Sequence, residues 1–290
     1  SADPWPALAR GNLRYDRLRH REAMADWTEA LRREPRNAQA HRNLGLALHD
    51  RHGDTGGAWR HYCTAFSLAP TPRLLFELDQ LARRLGHAPA ERRARLEAHR
   101  ALVDARDDLT VALAELWLLG GDSAGALALI AARRFHPWEG GEGRVMAVHV
   151  AGHLAQARLA LARGDAAAAL AEADAALADP EHLGEAKHLL AALADIHLHR
   201  GAALAALGQD EAATAAFTLA ADARQDFSGM RVQHCSRMTF FQALALRRLG
   251  RTAEAEAAAA RLAAHAAHLA ATPAAASASA VRPRRRRANA

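Results

Sequence analysis

The sequence predicts an all-α fold, a right-handed α-solenoid of about seven helix hairpins. Two observations predict it. Gly11, Ala23, Trp27, Ala30 and Pro35 recur as Gly45, Ala58, Tyr62, Ala65 and Pro70, a shift of 34 residues for the glycine and 35 for the others. The chain is also rich in Ala, Leu, Arg and Glu, which favour helix. It lacks the sustained alternation of Val, Ile and Thr that marks a sheet.

A small–small–aromatic–small–proline pattern at this period resembles the tetratricopeptide repeat, a helix–turn–helix unit of about 34 residues. Read that way, Gly11 and Gly45 let the first helix of each pair approach its partner, and Ala23 and Ala58 do so from the second helix. Trp27 and Tyr62 fill the space between neighbouring pairs. Pro35 and Pro70 stop the second helix, because proline lacks an N–H and clashes with the preceding turn. One hairpin cannot bury its apolar face alone, so the pairs stack, and such stacks commonly serve as binding surfaces rather than catalysts.

Hairpin turns are marked by Gly53, Gly86, Gly121, Gly164, Gly208 and Gly250, with Leu18 at the equivalent place in the first unit. The helical solenoid is expected to span 1–271. Repeats are regular over 1–70, irregular over 71–120 and carry enlarged loops over 121–271. In the irregular part, Leu74, Leu75, Leu78, Leu81 and Leu85 give a good first helix, whereas 90–103 is Arg-rich with a narrower apolar stripe. The pattern returns in full at Gly201, Gly208, Ala213, Phe217 and Ala220. Residues 272–290 read as a disordered Ala/Pro/Arg tail.

The spacing between turn glycines lengthens along the chain. Gly86 to Gly121 is 35 residues, but the next three intervals are 43, 44 and 42. The surplus falls at 133–144, 179–187 and 224–237, each after the second helix of a pair. Equivalent connections in a solenoid share one edge, so the three loops are expected to form one continuous rim. This rim is the candidate binding site. Its first loop offers Arg133, Arg134, His136, Trp138, Glu139, Glu142 and Arg144, set among Phe135, Pro137 and three glycines. Its second offers His182, Glu185, Lys187 and His188. Lys187 is the sole lysine beside 37 arginines, which points to a need for a compact ammonium. Gly184, before a helix start, could also present N–H groups to an anion.

Several function classes are set aside. No P-loop, GxSxG or Rossmann glycine pattern is present, so no catalytic residue and no cofactor are assigned. His149 and His153 share a helix face, but the glutamate of a zinc-protease motif is absent, and no metal is assigned. No apolar run approaches the roughly 20 residues of a membrane span, and no membrane partner is expected. The formal charge of +6 comes largely from Arg282 and Arg284–Arg287 in the tail; the rest holds 33 basic and 32 acidic residues, so nucleic acid is not an expected partner. Cys63 and Cys235 form no framework, which is compatible with a cytoplasmic location. Residue 1 is not methionine, and the chain is expected to be part of a longer polypeptide.

The runs Arg133–Gly143, Leu183–Leu190 and Arg106-Asp107-Asp108-Leu109-Thr110 resemble the C-terminal repeat region of a bacterial family of large proteins. In that family a β-rich domain of unknown function, similar to sugar-processing β-sandwich folds, precedes tetratricopeptide repeats. Ala186 stands where the family's loop is expected to carry glycine. The resemblance implies an upstream β-rich domain and a carbohydrate connection. The function expected is a protein-interaction or scaffold module that binds a protein or peptide partner, or its own upstream domain. The alternative is a carbohydrate-active accessory region, with Glu139, Glu142 and Glu185 as acid–base carboxylates and Trp138 stacking on a sugar. The segment alone is not expected to be an enzyme.

Overall fold

The computed structural model describes residues 3–223, 226–228 and 231–271, and the expected disordered tail at 272–290 lies outside them. The described residues hold fifteen α-helices. They are α1 (Trp5–Asp16), α2 (His20–Arg33), α3 (Ala38–Ala47), α4 (Thr55–Leu68), α5 (Pro72–Arg84), α6 (Pro89–Ala98), α7 (Arg100–Asp104), α8 (Asp107–Leu119), α9 (Ser123–Ala131), α10 (Arg144–Ala162), α11 (Ala166–Leu177), α12 (Ala194–Ala206), α13 (Asp210–Ala221), α14 (Met238–Arg248) and α15 (Thr252–Ala271). The fold is an all-α solenoid of tetratricopeptide-like hairpins. The described residues form two compact units, one of those up to 156 with 175–187, the other of 157–174 with those from 188 to 271.

In the first unit, α1 packs on α2, α3 on α4 and α8 on α9, while α2–α3 and α4–α5 join successive pairs. The helix ends follow the sequence. Asn37, Asp54, Thr71 and Asp122 each cap a helix through a side-chain oxygen that accepts from a backbone N–H three residues on. Helices α2 and α4 end at Arg33 and Leu68, just before Pro35 and Pro70. The third pair differs, because its second half breaks at His99 into α6 and α7. Arg92 on α6 forks onto Asp79 of α5 at 2.9 and 2.7 Å, so this Arg-rich segment buries an ion pair with its apolar groups.

The second unit pairs α12 with α13 and α14 with α15 around Leu198, Leu204, Phe217 and Leu246. It also contains a two-stranded hairpin, β1 (Asp226–Ser228) antiparallel to β2 (Arg231–Gln233), inside the third enlarged loop. No strand was expected there. Three residues per strand are too few to show an alternation.

Trp27 packs with Ala40, Leu44 and Ala47 of the next pair, and the aromatic residues Trp27 and Tyr62 have a second role within their own pairs. Each lies on the glycine of its own hairpin, so that a Cβ at Gly11 would meet Trp27 at 2.6 Å and one at Gly45 would meet Tyr62 at 2.8 Å. Phe217 covers Gly201 in the same way. Glycine in the first helix is thus the socket for the ring of the second.

The membrane reading is corrected. Helix α10, at 19 residues, is long and apolar enough to cross a bilayer by length and composition. Half of that stretch is buried inside the fold, where Val145, Val148, Leu154 and Ala157 join the core.

Candidate functional site

The first two enlarged loops meet in the first unit. The Phe135 N–H donates to the His182 carbonyl at 2.7 Å. Phe135 and Leu183 are both almost fully buried, and full burial of such side chains is worth roughly 1.5–3 kcal/mol each. Gly184 has a φ of +72°, and a Cβ there would lie 2.5 Å from the Phe135 carbonyl oxygen. Glycine is required on both counts. The anion cradle suggested for this turn is therefore occupied by the chain's own first loop.

Two charged residues of the second loop close helix ends. Glu185 accepts from the N–H groups of Gly143 and Met146 at 2.7 and 3.1 Å, at the start of α10. A carboxylate there satisfies exposed donors and faces the positive end of the helix dipole. Lys187 does the converse at the end of α11. Its Nζ donates to the carbonyls of Leu177 and Ala178 at 3.1 and 2.6 Å, and to Asp179 at 2.8 Å. Three convergent acceptors suit a compact three-donor head better than a planar guanidinium. Burial alone would raise the Asp179 carboxyl, but the bonds from Lys187 hold it below its ordinary value.

The first loop is anchored on the Arg106–Thr110 run. Arg133 donates to the Thr110 hydroxyl at 2.7 Å and the Asp104 carbonyl at 3.1 Å, and pairs with Asp107. The His136 N–H donates to Asp107 at 3.0 Å. Arg144 forks onto Glu115 of α8 at 3.0 and 2.8 Å. Trp138 lies so close over Gly141 that a Cβ there would come within 1.9 Å of the indole. Glu142 accepts from the Gly140 N–H at 3.2 Å. Among the described residues, Arg134 and Glu139 are exposed and have no hydrogen-bond or ion-pair partner.

The third loop belongs to the second unit and makes its own closure. The Phe227 N–H donates to the Leu190 carbonyl at 3.0 Å, and the Ala192 N–H to Asp226 at 3.1 Å. His188 stacks on Phe227 with centroids 3.7 Å apart. The structure thus joins the predicted residues of loops one and two, Arg133 to Lys187, and places His188 with loop three. The carboxylates offered for sugar chemistry are differently employed, since Glu185 and Glu142 accept backbone N–H groups and Glu139 stands in solvent.

Beside these loops the first unit holds a groove of about 390 Å³. Leu127, Ala128, Ile130 and Ala131 of α9 form one wall; His149 and His153 of α10 form another; Ala175, Ala178, Pro180 and His182 complete it. His149 lies 2.9 Å by Nε2 from the Ala175 carbonyl oxygen, so that nitrogen carries the proton. Burial, with His153, Lys187 and His182 adding to it, lowers His149 to about 4. The groove therefore presents apolar carbon and, at His149, a neutral imidazole near pH 7. A second, smaller crevice of about 30 Å³ lies between Trp138, Glu142, Leu183 and Glu185. The second loop is the wall common to both. Sequence reasoning missed the α9 side of the groove. Its signal was an α9 apolar on every face, which a helix packed on one side only does not need.

The Gly–aromatic sockets, the turn glycines and the helix order define a tetratricopeptide-like repeat protein. No protein-family model matches the chain. Among solved structures it is similar to a tetratricopeptide repeat protein from Parabacteroides merdae, at 13% identity over 91% of this chain and 93% of that one, with a TM-score of 0.47. It is similar to a chain in the structure of Naa15/Naa10 bound to HypK-THB, at 15% identity over 84% of this chain and 34% of that one, with a TM-score of 0.48. It is also similar to YrrB, a tetratricopeptide repeat protein with an unusual peptide-binding site, at 15% identity over 77% of this chain and 87% of that one, with a TM-score of 0.33.

Proposed function

We propose that this chain is a protein-interaction module whose first unit binds a segment of a partner protein. The groove of about 390 Å³ carries the proposal. Its volume lies in the range of pockets that enclose a ligand group, roughly 300–1,000 Å³. Its lining is largely apolar and includes no Asp, Glu, Lys or Arg, so the occupant is an uncharged aliphatic or aromatic side chain of a peptide. Exposed Arg134, His136 and Glu139 on the adjoining loop are available for the polar remainder of that peptide. The paired loops hold the groove wall in one conformation, which lowers the ordering cost of binding. The resemblance to the bacterial family adds an upstream β-rich domain as one source of the segment, and a cytoplasmic setting is part of the same proposal.

A peptide-display selection on the full chain tests this. Selected peptides should share an apolar anchor, and Ala131→Glu, a charge placed on the exposed lining of the groove, should weaken them by at least about tenfold. Peptides with no apolar anchor, or with unchanged affinity for the variant, would overturn it. The sugar-active alternative is not favoured, since Glu142 and Glu185 are used in turn and helix closure and Glu139 stands alone in solvent.

A further inference from the structure

His41 of α3 and His61 of α4 face each other by Nδ1 at 2.8 Å, with ring centroids 5.0 Å apart. His41 Nε2 lies 3.0 Å from the carbonyl oxygen of Pro35, in the turn that ends the first repeat. A carbonyl only accepts, so His41 carries its proton on Nε2. Its Nδ1 is then bare in the neutral ring, and His61 donates to it from Nδ1. Each proton is fixed by the atom opposite.

We infer that this pair is an acid-sensitive latch tying both helices of the second repeat to the end of the first. The arrangement accepts one further proton, because a single imidazolium still leaves one donor facing one acceptor. It does not accept two. Two added protons would set N–H against N–H and cation against cation at 2.8 Å. The titratable and charged groups acting on His61 are His41, Arg60 and Asp54. Burial, His41 and Arg60 disfavour its charged form, and Asp54, whose carboxylate caps α4 through the Gly57 N–H at 2.8 Å, opposes them. Doubly protonated rings part, α3 and α4 lose the bond between them, and the Pro35 carbonyl loses its fixed donor.

Amide hydrogen exchange on the full chain, corrected for intrinsic rates, reads the latch. Protection in α3 and α4 should fall as pH drops below about 6.5, by up to about tenfold per pH unit for each proton taken up on opening. Protection in α8, which contains no histidine, is the internal reference. His61→Asn keeps an N–H donor near Nδ1 but does not titrate, so the pH dependence of α3 and α4 in excess of that in α8 should disappear in that variant. An equal dependence in both proteins, or none in the parent, would overturn the inference. Should the variant fail to fold, imidazole nitrogen shifts of the parent decide it. One protonated and one bare Nδ1 at about pH 7.5 support the latch, and two Nδ1 atoms in the same state contradict it.

Discussion

Leu18 occupies the hairpin turn in which the glycine is missing. Its φ is +61°, and among the described residues it is the single non-glycine with a positive φ, whereas Gly53, Gly86, Gly121, Gly164, Gly208 and Gly250 all adopt such values. A left-handed conformation costs an L-residue roughly 1–2 kcal/mol, and Leu18 is 64% exposed, so little burial offsets it. Leu18→Gly should therefore stabilise the chain by about 0.5–1 kcal/mol, after the greater unfolded-state entropy of glycine is allowed for, in denaturant unfolding. His149 sets an opposite kind of strain. Unfolded it titrates near 6.5 and folded at about 4, so the unfolded chain takes the proton first as pH drops. Its contribution is complete above about 6.5 and is lost between there and about 4, to a limit of roughly 3 kcal/mol. Melting curves should fall across that window in the parent and less steeply in His149→Leu.

At the scale of elements, the closure of α10 by Glu185 is the joint on which the two loops depend. Glu185→Ala should cost about 1–2 kcal/mol in unfolding and raise amide exchange at Gly143 and Met146. Gly184→Ala should cost about 1–3 kcal/mol, because it adds both a left-handed strain and a clash with the Phe135 carbonyl. The helices themselves were legible in the sequence, since turn glycines and terminating prolines act over three or four residues. The joint was only partly legible. The three segments singled out by resemblance, Arg106–Thr110, Arg133–Gly143 and Leu183–Leu190, are largely those that bind one another through Asp107, Thr110, His182 and Glu185. Which group meets which could not be read, because those pairs are 23 to 47 residues apart. The isolated Lys187 stands out in the sequence, and the structure gives it a helix end to close. Spacing shows that an ammonium is present but not which oxygens surround it.

Taken as a whole molecule, the chain uses most of its unusual loop chemistry to hold itself together. What remains open in the first unit is a largely apolar groove with the neutral His149 imidazole and an adjoining edge bearing Arg134 and Glu139. The central claim is that this groove takes an uncharged side chain of a partner segment. Calorimetric titration of one selected peptide against the parent chain and Ala131→Glu tests it most directly, with circular dichroism confirming an unchanged helix content in the variant. The account predicts a Kd raised by at least about tenfold in the variant; an unchanged Kd would contradict it.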